Sequence, residues 1–191
     1  MIPKAVARAA LWLGGWHSIG EAPALDRYVL IAAPHTSNWD FIWLMAFAGA
    51  FDVRIAWLGK DTLFRRPFGA LFRRLGGLGV VRSGRSNLVQ QLKARFAAEP
   101  LVLLIPVEGT RGYTDYWRSG FYHIAYGAGV PVVTCTLDYQ AKIGGFGPAI
   151  QLTGNVGADM DEIRAFYGEK QGKHPAKTGR MRLKEEDGPR D

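Results

Sequence analysis

With 191 residues, of which 48% are hydrophobic, the chain is long enough for one ordinary domain with a sizeable core, which excludes wholesale disorder. Its net charge of +7 points to an anionic partner: nucleic acid, an acidic membrane surface or a phosphorylated substrate. The single cysteine excludes an internal disulfide, and four scattered histidines give no zinc-ligand spacing, so no metal site is expected.

At the N-terminus, Lys4 and Arg8 precede Leu11-Trp12-Leu13, a segment too short and too rich in tryptophan for a signal peptide. Trp12 and Trp16 stand one helical turn apart, so residues 1–20 read as an amphipathic segment that touches a membrane. Tyr28 to Ala33 is a short apolar strand ending at Pro34, and Asn38 to Ala50 suits a buried helix. The longest apolar run, Phe41 to Phe51, has eleven residues, against the roughly 20 that a bilayer span needs. Val53 to Leu58 reads as a strand, Asp61 to Leu75 as a basic, aromatic helix, and Gly79-Val80-Val81 follows. From Ser86 to Ala98 the positions Leu88, Val89, Leu92 and Phe96 repeat at helical spacing behind Ser86 as N-cap.

Leu101 to Val107 is the most apolar strand, and Ser119 to Ala128 the next helix. Val130 to Leu137 is a buried strand in which Cys135 reads as a small core residue rather than a reactive thiol. A strand from Ala149 to Thr153 and an amphipathic helix from Ala158 to Tyr167 complete the pattern. This alternation predicts a single α/β domain over residues 21–167, with a largely parallel or mixed central sheet flanked by helices. Residues 168–191 are rich in lysine, glycine and acidic side chains and read as a mobile basic tail.

One local near-repeat stands out: Leu63-Phe64-Arg65-Arg66 recurs as Leu71-Phe72-Arg73-Arg74. On a helix these residues suit a lipid headgroup layer, apolar side down and guanidiniums on phosphates. The other reading is a core-facing helix with solvated arginines. No nucleic-acid motif accompanies the arginines, so phosphate on a lipid or carrier protein is the better match and no nucleic-acid partner is expected.

The most informative stretch is Pro34-His35-Thr36-Ser37-Asn38-Trp39-Asp40. His35 sits where a strand ends, and open α/β sheets put ligands outside their carboxyl ends. A spacing of five sets the two side chains on opposite faces of a strand and about 140° apart on a helix, so they meet only if the chain turns between them. Ser37 and Asn38 permit such a turn and cap the helix beyond. If they meet, Asp40 accepts the imidazole Nδ1–H and leaves Nε2 as a base, two-thirds of a hydrolase triad. The nucleophile can then be a substrate hydroxyl. Ser37 is a weaker candidate because the Gly-x-Ser-x-Gly elbow is absent. A structural role is the alternative for the pair.

The second signal, Glu108-Gly109-Thr110-Arg111, follows the apolar strand, where a glycine turn, exposed amides and the arginine fork suit a phosphate. Elsewhere His123 reads as a satisfied core or interface histidine, His17 and His174 as surface residues, and Trp39 and Trp117 as packing residues, with lining of an acyl pocket as the alternative.

His35-x4-Asp40 followed about 70 residues later by Glu108-Gly109-Thr110-Arg111 resembles the 1-acylglycerol-3-phosphate O-acyltransferase (lysophosphatidic acid acyltransferase) family. Lys60-x-x-Leu63, Pro67, Gly76 with Arg82, Arg118-Ser119-Gly120 and Val130-Pro131-Val132-Val133 fall in family order, and the likeness covers about Asp26 to Asn155. It implies a glycerolipid acyltransferase-like fold, with His35 as general base oriented by Asp40. It implies that Glu108, Gly109, Thr110, Arg111 and Arg82 bind the acceptor's phosphate; beside these, Lys60 and the repeat's Arg65, Arg66, Arg73 and Arg74 are candidates for substrate or membrane contact. The implied reaction moves a fatty acyl group from acyl-CoA or acyl-acyl carrier protein to a lysophospholipid hydroxyl, with no bound cofactor or metal. The implied location is cytoplasmic, peripheral at the inner face of the cell membrane, against anionic lipid. Two departures, Pro106-Val107 for Phe-Pro before the block and Gly112 for serine after it, bear on the acceptor. A related acyltransferase with another lipid or glycolipid acceptor, and a non-catalytic membrane-binding module, are the competing classes.

Overall fold

The computed structural model describes residues 2–65, 67–80 and 85–188. Seven strands form one mixed sheet: β1 (His17–Ile19), β2 (Arg27–Ala32), β3 (Ile55–Lys60), β4 (Gly77–Val80), β5 (Leu101–Pro106), β6 (Val132–Asp138) and β7 (Ile143–Ile150). Their spatial order is β1-β7-β6-β2-β5-β3-β4, all pairs parallel except β6 with β7. The single α/β domain expected from the sequence is therefore present, its sheet mixed.

The central strand β2 shows why the layers form. From Tyr28 to Ala32 its residues are buried and largely apolar without alternation, as a strand covered on both faces requires. Val29 and Ile31 enter a core shared with Leu92 and Phe96 of α4 (Arg85–Ala98), Phe121 of α5 (Gly120–Ala128) and Ile163 of α6 (Val156–Tyr167). Tyr28, Leu30 and Ala32 enter the opposite core with Met45 and Ala48 of α2 (Trp39–Ala50). Outside α2 lies α1 (Lys4–Leu13), which buries Ala7 and Leu11 and exposes Trp12 and Leu13.

Several expectations need correction. Trp16 does not share a membrane face with Trp12: the helix ends at Leu13, and Trp16 is buried against Trp43, Phe47 and Tyr139. The stretch Asp61 to Leu75 is not one helix but a 3-10 turn, Asp61–Phe64, and a short α3, Gly69–Arg74. Pro67 lies between them, with no N–H to continue a helix and a ring that disfavours helical backbone before it. The two phenylalanines of the near-repeat turn inward, Phe64 buried and Phe72 edge-on to Trp57, while Leu63 and Leu71 are exposed. Strand β7 starts at Ile143 rather than Ala149, because Gly144, Gly145, Gly147 and Pro148 hide the strand signal that pairing with β6 and β1 supplies.

The largest correction concerns the C-terminus. Residues 168–188 are not a mobile tail but a strap packed across the ends of β2 and β5. Leu183 is completely buried in the core, the Trp117 amide donates to the Arg182 carbonyl, and Arg180 donates to Thr114. Glu186 pairs with Arg164 of α6. Isolated apolar residues among charged neighbours carry no periodicity, so composition alone conceals such a segment.

Candidate active site

Three neighbouring parallel strands, β5, β2 and β6, end together. Ala32 of β2 stands opposite Pro106 of β5 and Cys135 of β6, so the residues that follow each strand emerge side by side. These include His35, Glu108 and Tyr139. The Ala33–Pro34 peptide bond is cis.

The chain turns at Thr36–Asn38, and His35 Nδ1 lies 3.1 Å from Asp40 Oδ2. The same oxygen accepts the amides of Thr36 and Ser37, each at 2.9 Å, and Oδ1 accepts the Tyr139 hydroxyl at 2.7 Å. Asp40 is therefore a fully engaged carboxylate at 1% exposure. Burial works to raise its pKa, yet the hydrogen bonds from His35, Tyr139 and Ser37 outweigh it and hold the carboxyl below its ordinary range. The ring of His35 is partly open, at 19% exposure, and among the described residues nothing engages its Nε2. With Nδ1 donating to the carboxylate, Nε2 is the lone-pair nitrogen and faces outward from the pair.

The block after β5 divides between the inside and the outside. Glu108 is 1% exposed, and its Oε2 accepts the His35 amide at 2.5 Å, with a further backbone bond from Gly179. Burial raises its pKa above the ordinary range, and the two amides offset this in part. Gly109 turns with φ +66°, and a side chain there would collide with Arg118. Gly109, Thr110 and Arg111 are exposed, and Arg111 donates to the Asn38 side-chain oxygen, which bridges the two loops. Thr110 Oγ1 accepts the Gly112 amide at 3.2 Å.

The remaining candidates lie apart from this group or beyond view. Arg66 and Arg82 lie outside the described residues, as does the side chain of Lys60 at the end of β3. Arg65, Arg73 and Arg74 are exposed around the turn and α3, with Arg73 donating to the Phe64 carbonyl. Ser37 accepts the Trp39 amide, as a residue of the turn. His123 is exposed rather than part of the core, 3.6 Å from Glu185 of the strap. Burial pushes the Cys135 thiol up to about 12, in keeping with a core residue. Among the described residues no group of His, Cys, Asp and Glu could hold a metal, and no helix is long and apolar enough to cross a membrane.

A family model described as acyltransferase matches residues 17–138. The chain belongs to the acyltransferase family. That match begins at β1 and runs to the end of β6, enclosing His35, Asp40 and the block at 108–111. Among solved structures, the 1-acyl-sn-glycerophosphate (LPA) acyltransferase PlsC from Thermotoga maritima has a similar fold, with a TM-score of 0.54 and 17% identity. The alignment covers 87% of this chain and 73% of that one. No curated protein sequence matches the chain.

Within this acyltransferase, sequence reasoning missed Tyr139 and the strap. Tyr139 stands 99 positions from the carboxylate it serves, and Gly179 is further still from His35. Neither has a local pattern that announces such a partner.

Proposed function

We propose that this acyltransferase moves a fatty acyl group from an acyl thioester, acyl-CoA or acyl-acyl carrier protein, to the hydroxyl of a lysophospholipid such as 1-acylglycerol-3-phosphate. The observation that carries the reading is the His35–Asp40 pair, with Nδ1 on a fixed carboxylate and Nε2 unengaged among the described residues. Nε2 takes the proton of the acceptor hydroxyl as that oxygen bonds to the thioester carbon. The C–S bond then breaks, the proton passes to the departing sulfur, and an ester and a free thiol remain. Asp40 needs no proton of its own: its depressed pKa suits a carboxylate that steadies the imidazolium.

Arg111, on the open loop beside His35, supports a phosphate-bearing acceptor. Exposed Trp12, Leu13, Trp39, Ile42, Leu63, Phe68 and Leu71, with Arg73 and Arg74 nearby in sequence, support docking on an anionic membrane at the cytoplasmic face. No bound cofactor enters this scheme.

The test follows thiol release from a long-chain acyl-CoA with and without lysophosphatidic acid, with phosphatidic acid measured by mass. Acceptor-dependent release with matching product is expected, and His35→Ala is expected to lose about 10²- to 10⁴-fold in rate while remaining folded. Release without acceptor would make the protein a thioesterase. Wild-type turnover in His35→Ala would overturn the mechanism.

A further inference from the structure

Segment 171–174 of the strap is pinned to the catalytic turn at successive points. The Gln171 carbonyl accepts the Tyr139 amide at 2.8 Å. Gly172 lies so close to the turn that a Cβ there would sit 2.7 Å from Thr36 Oγ1 and 3.2 Å from Pro34 Cβ. The His174 amide donates to Thr36 Oγ1 at 3.1 Å. The residue between, Lys173, therefore has its backbone held on the neighbour of His35. Its ammonium sits over the half-exposed ring of Trp39, 5.1 Å from the centroid.

Arg111 donates to the side-chain oxygen of the adjacent residue, Asn38. Two cations thus rest on consecutive residues of the catalytic turn, each held by a neutral partner. Among the described residues neither meets a carboxylate, whereas Arg95, Arg164 and Arg182 all do. A cation placed on an aromatic face or an amide oxygen keeps its charge for an incoming anion, and two of them match the charge of a phosphomonoester. The region matched by the family model ends at residue 138, so Lys173 comes from outside it.

We propose that Lys173 and Arg111 together form the subsite for the phosphomonoester of the acceptor, with the strap supplying the second cation. The proposal rests on the acceptor reading given above. Trp39 is the platform that holds the ammonium near the turn, and Gly172 is the residue that lets the strap come close enough.

The experiment measures equilibrium binding of a soluble short-chain lysophosphatidic acid, and of the matching monoacylglycerol without phosphate, by calorimetry. Wild type, Lys173→Gln and Lys173→Arg are compared, with thermal melting to confirm that each is folded. Lys173→Gln is expected to weaken binding of the phosphate-bearing ligand on the order of tenfold, as for one charge-assisted contact, while Lys173→Arg recovers most of it. Binding of the neutral ligand is expected to be equal in all three. The proposal is overturned if Lys173→Gln binds the phosphate ligand as wild type does, or weakens both ligands alike. It is also overturned if wild type shows no preference for the phosphate, or if the substitution raises KM only for acyl-CoA and not for an acyl donor lacking phosphates. A wild type that prefers the phosphate ligand yet acylates no lysophospholipid would remove the functional reading and leave the subsite standing.

Discussion

The loops that follow β2 and β5 are neighbours in the sheet, but they are built in opposite ways. After β2, the turn is closed: the Asp40 carboxylate takes four donors, and the His35 amide is taken up by Glu108. After β5, Val107 and Glu108 are buried, and Gly109, Thr110 and Arg111 stand in solvent. Proton transfer needs a base held to a fraction of an ångström, and buried, fully satisfied hydrogen bonds provide that. In the proposed reaction a charged headgroup would meet the long, solvated side chains of the second loop, which can adapt to it. The boundary between the two kinds of loop runs through a single motif, between residues 108 and 109.

The strongest way to break that contrast is at Glu108. Glu108→Ala leaves the amides of His35 and Gly179 without an acceptor in a buried site, at a cost of about 3 kcal/mol. The expected result is a melting temperature lower by roughly 6–12 °C and loss of most activity, read by calorimetry and the acyl-transfer assay. Glu108→Gln keeps an oxygen for the amide and is expected to fold with an unchanged KM for the acceptor. A raised acceptor KM in Glu108→Gln, with stability intact, would mean that Glu108 touches the substrate after all.

The two loops also differ in how far they were legible. The His35–Asp40 contact was readable because it is local: five residues, a strand end, a turn and a helix start fall in one short segment. The inward orientation of Glu108 was not, since it depends on Gly179, more than seventy residues away and in a segment whose composition suggests disorder. Tyr139 was hidden for the same reason. The alternation of strands and helices was readable wherever strands carry a continuous run of mostly apolar residues, as β2, β5 and β6 do. It failed where glycine and proline dominate, at β7 and around Pro67.

A smaller effect is expected at Tyr139, which sharpens the account of the closed loop. Tyr139→Phe removes one of the hydrogen bonds that lower the Asp40 pKa. The folded pKa of Asp40 is then expected to rise toward its ordinary value. A fall in kcat of roughly tenfold with KM unchanged should accompany it. The stability linkage has the matching sign. Because the folded pKa of Asp40 is depressed, its contribution is present above the unfolded value near 3.9 and is lost as pH falls through the lower folded value. In Tyr139→Phe that contribution should be smaller, and its loss should be complete at a higher pH, because the folded value lies closer to the unfolded one. A drop in kcat with the acid dependence of stability unmoved would make Tyr139 a packing residue and nothing more.

The smallest catalytic effect is expected on the far side of α2, where α1 exposes Trp12 at 78% and Leu13 at 77%. Replacing both by alanine should weaken binding to anionic vesicles by about fivefold or more, as loss of interfacial apolar area predicts. Turnover of soluble short-chain substrates should stay at the wild-type value, because neither side chain touches the closed loop. The contrary result would be informative in its own way. Trp16, three residues beyond the helix, packs edge-on to Tyr139 at 5.0 Å, and Tyr139 holds Asp40. A change in kcat on soluble substrates would therefore mean that α1 acts on the base through Trp16, and that the docking face and the closed loop are one mechanical unit rather than two.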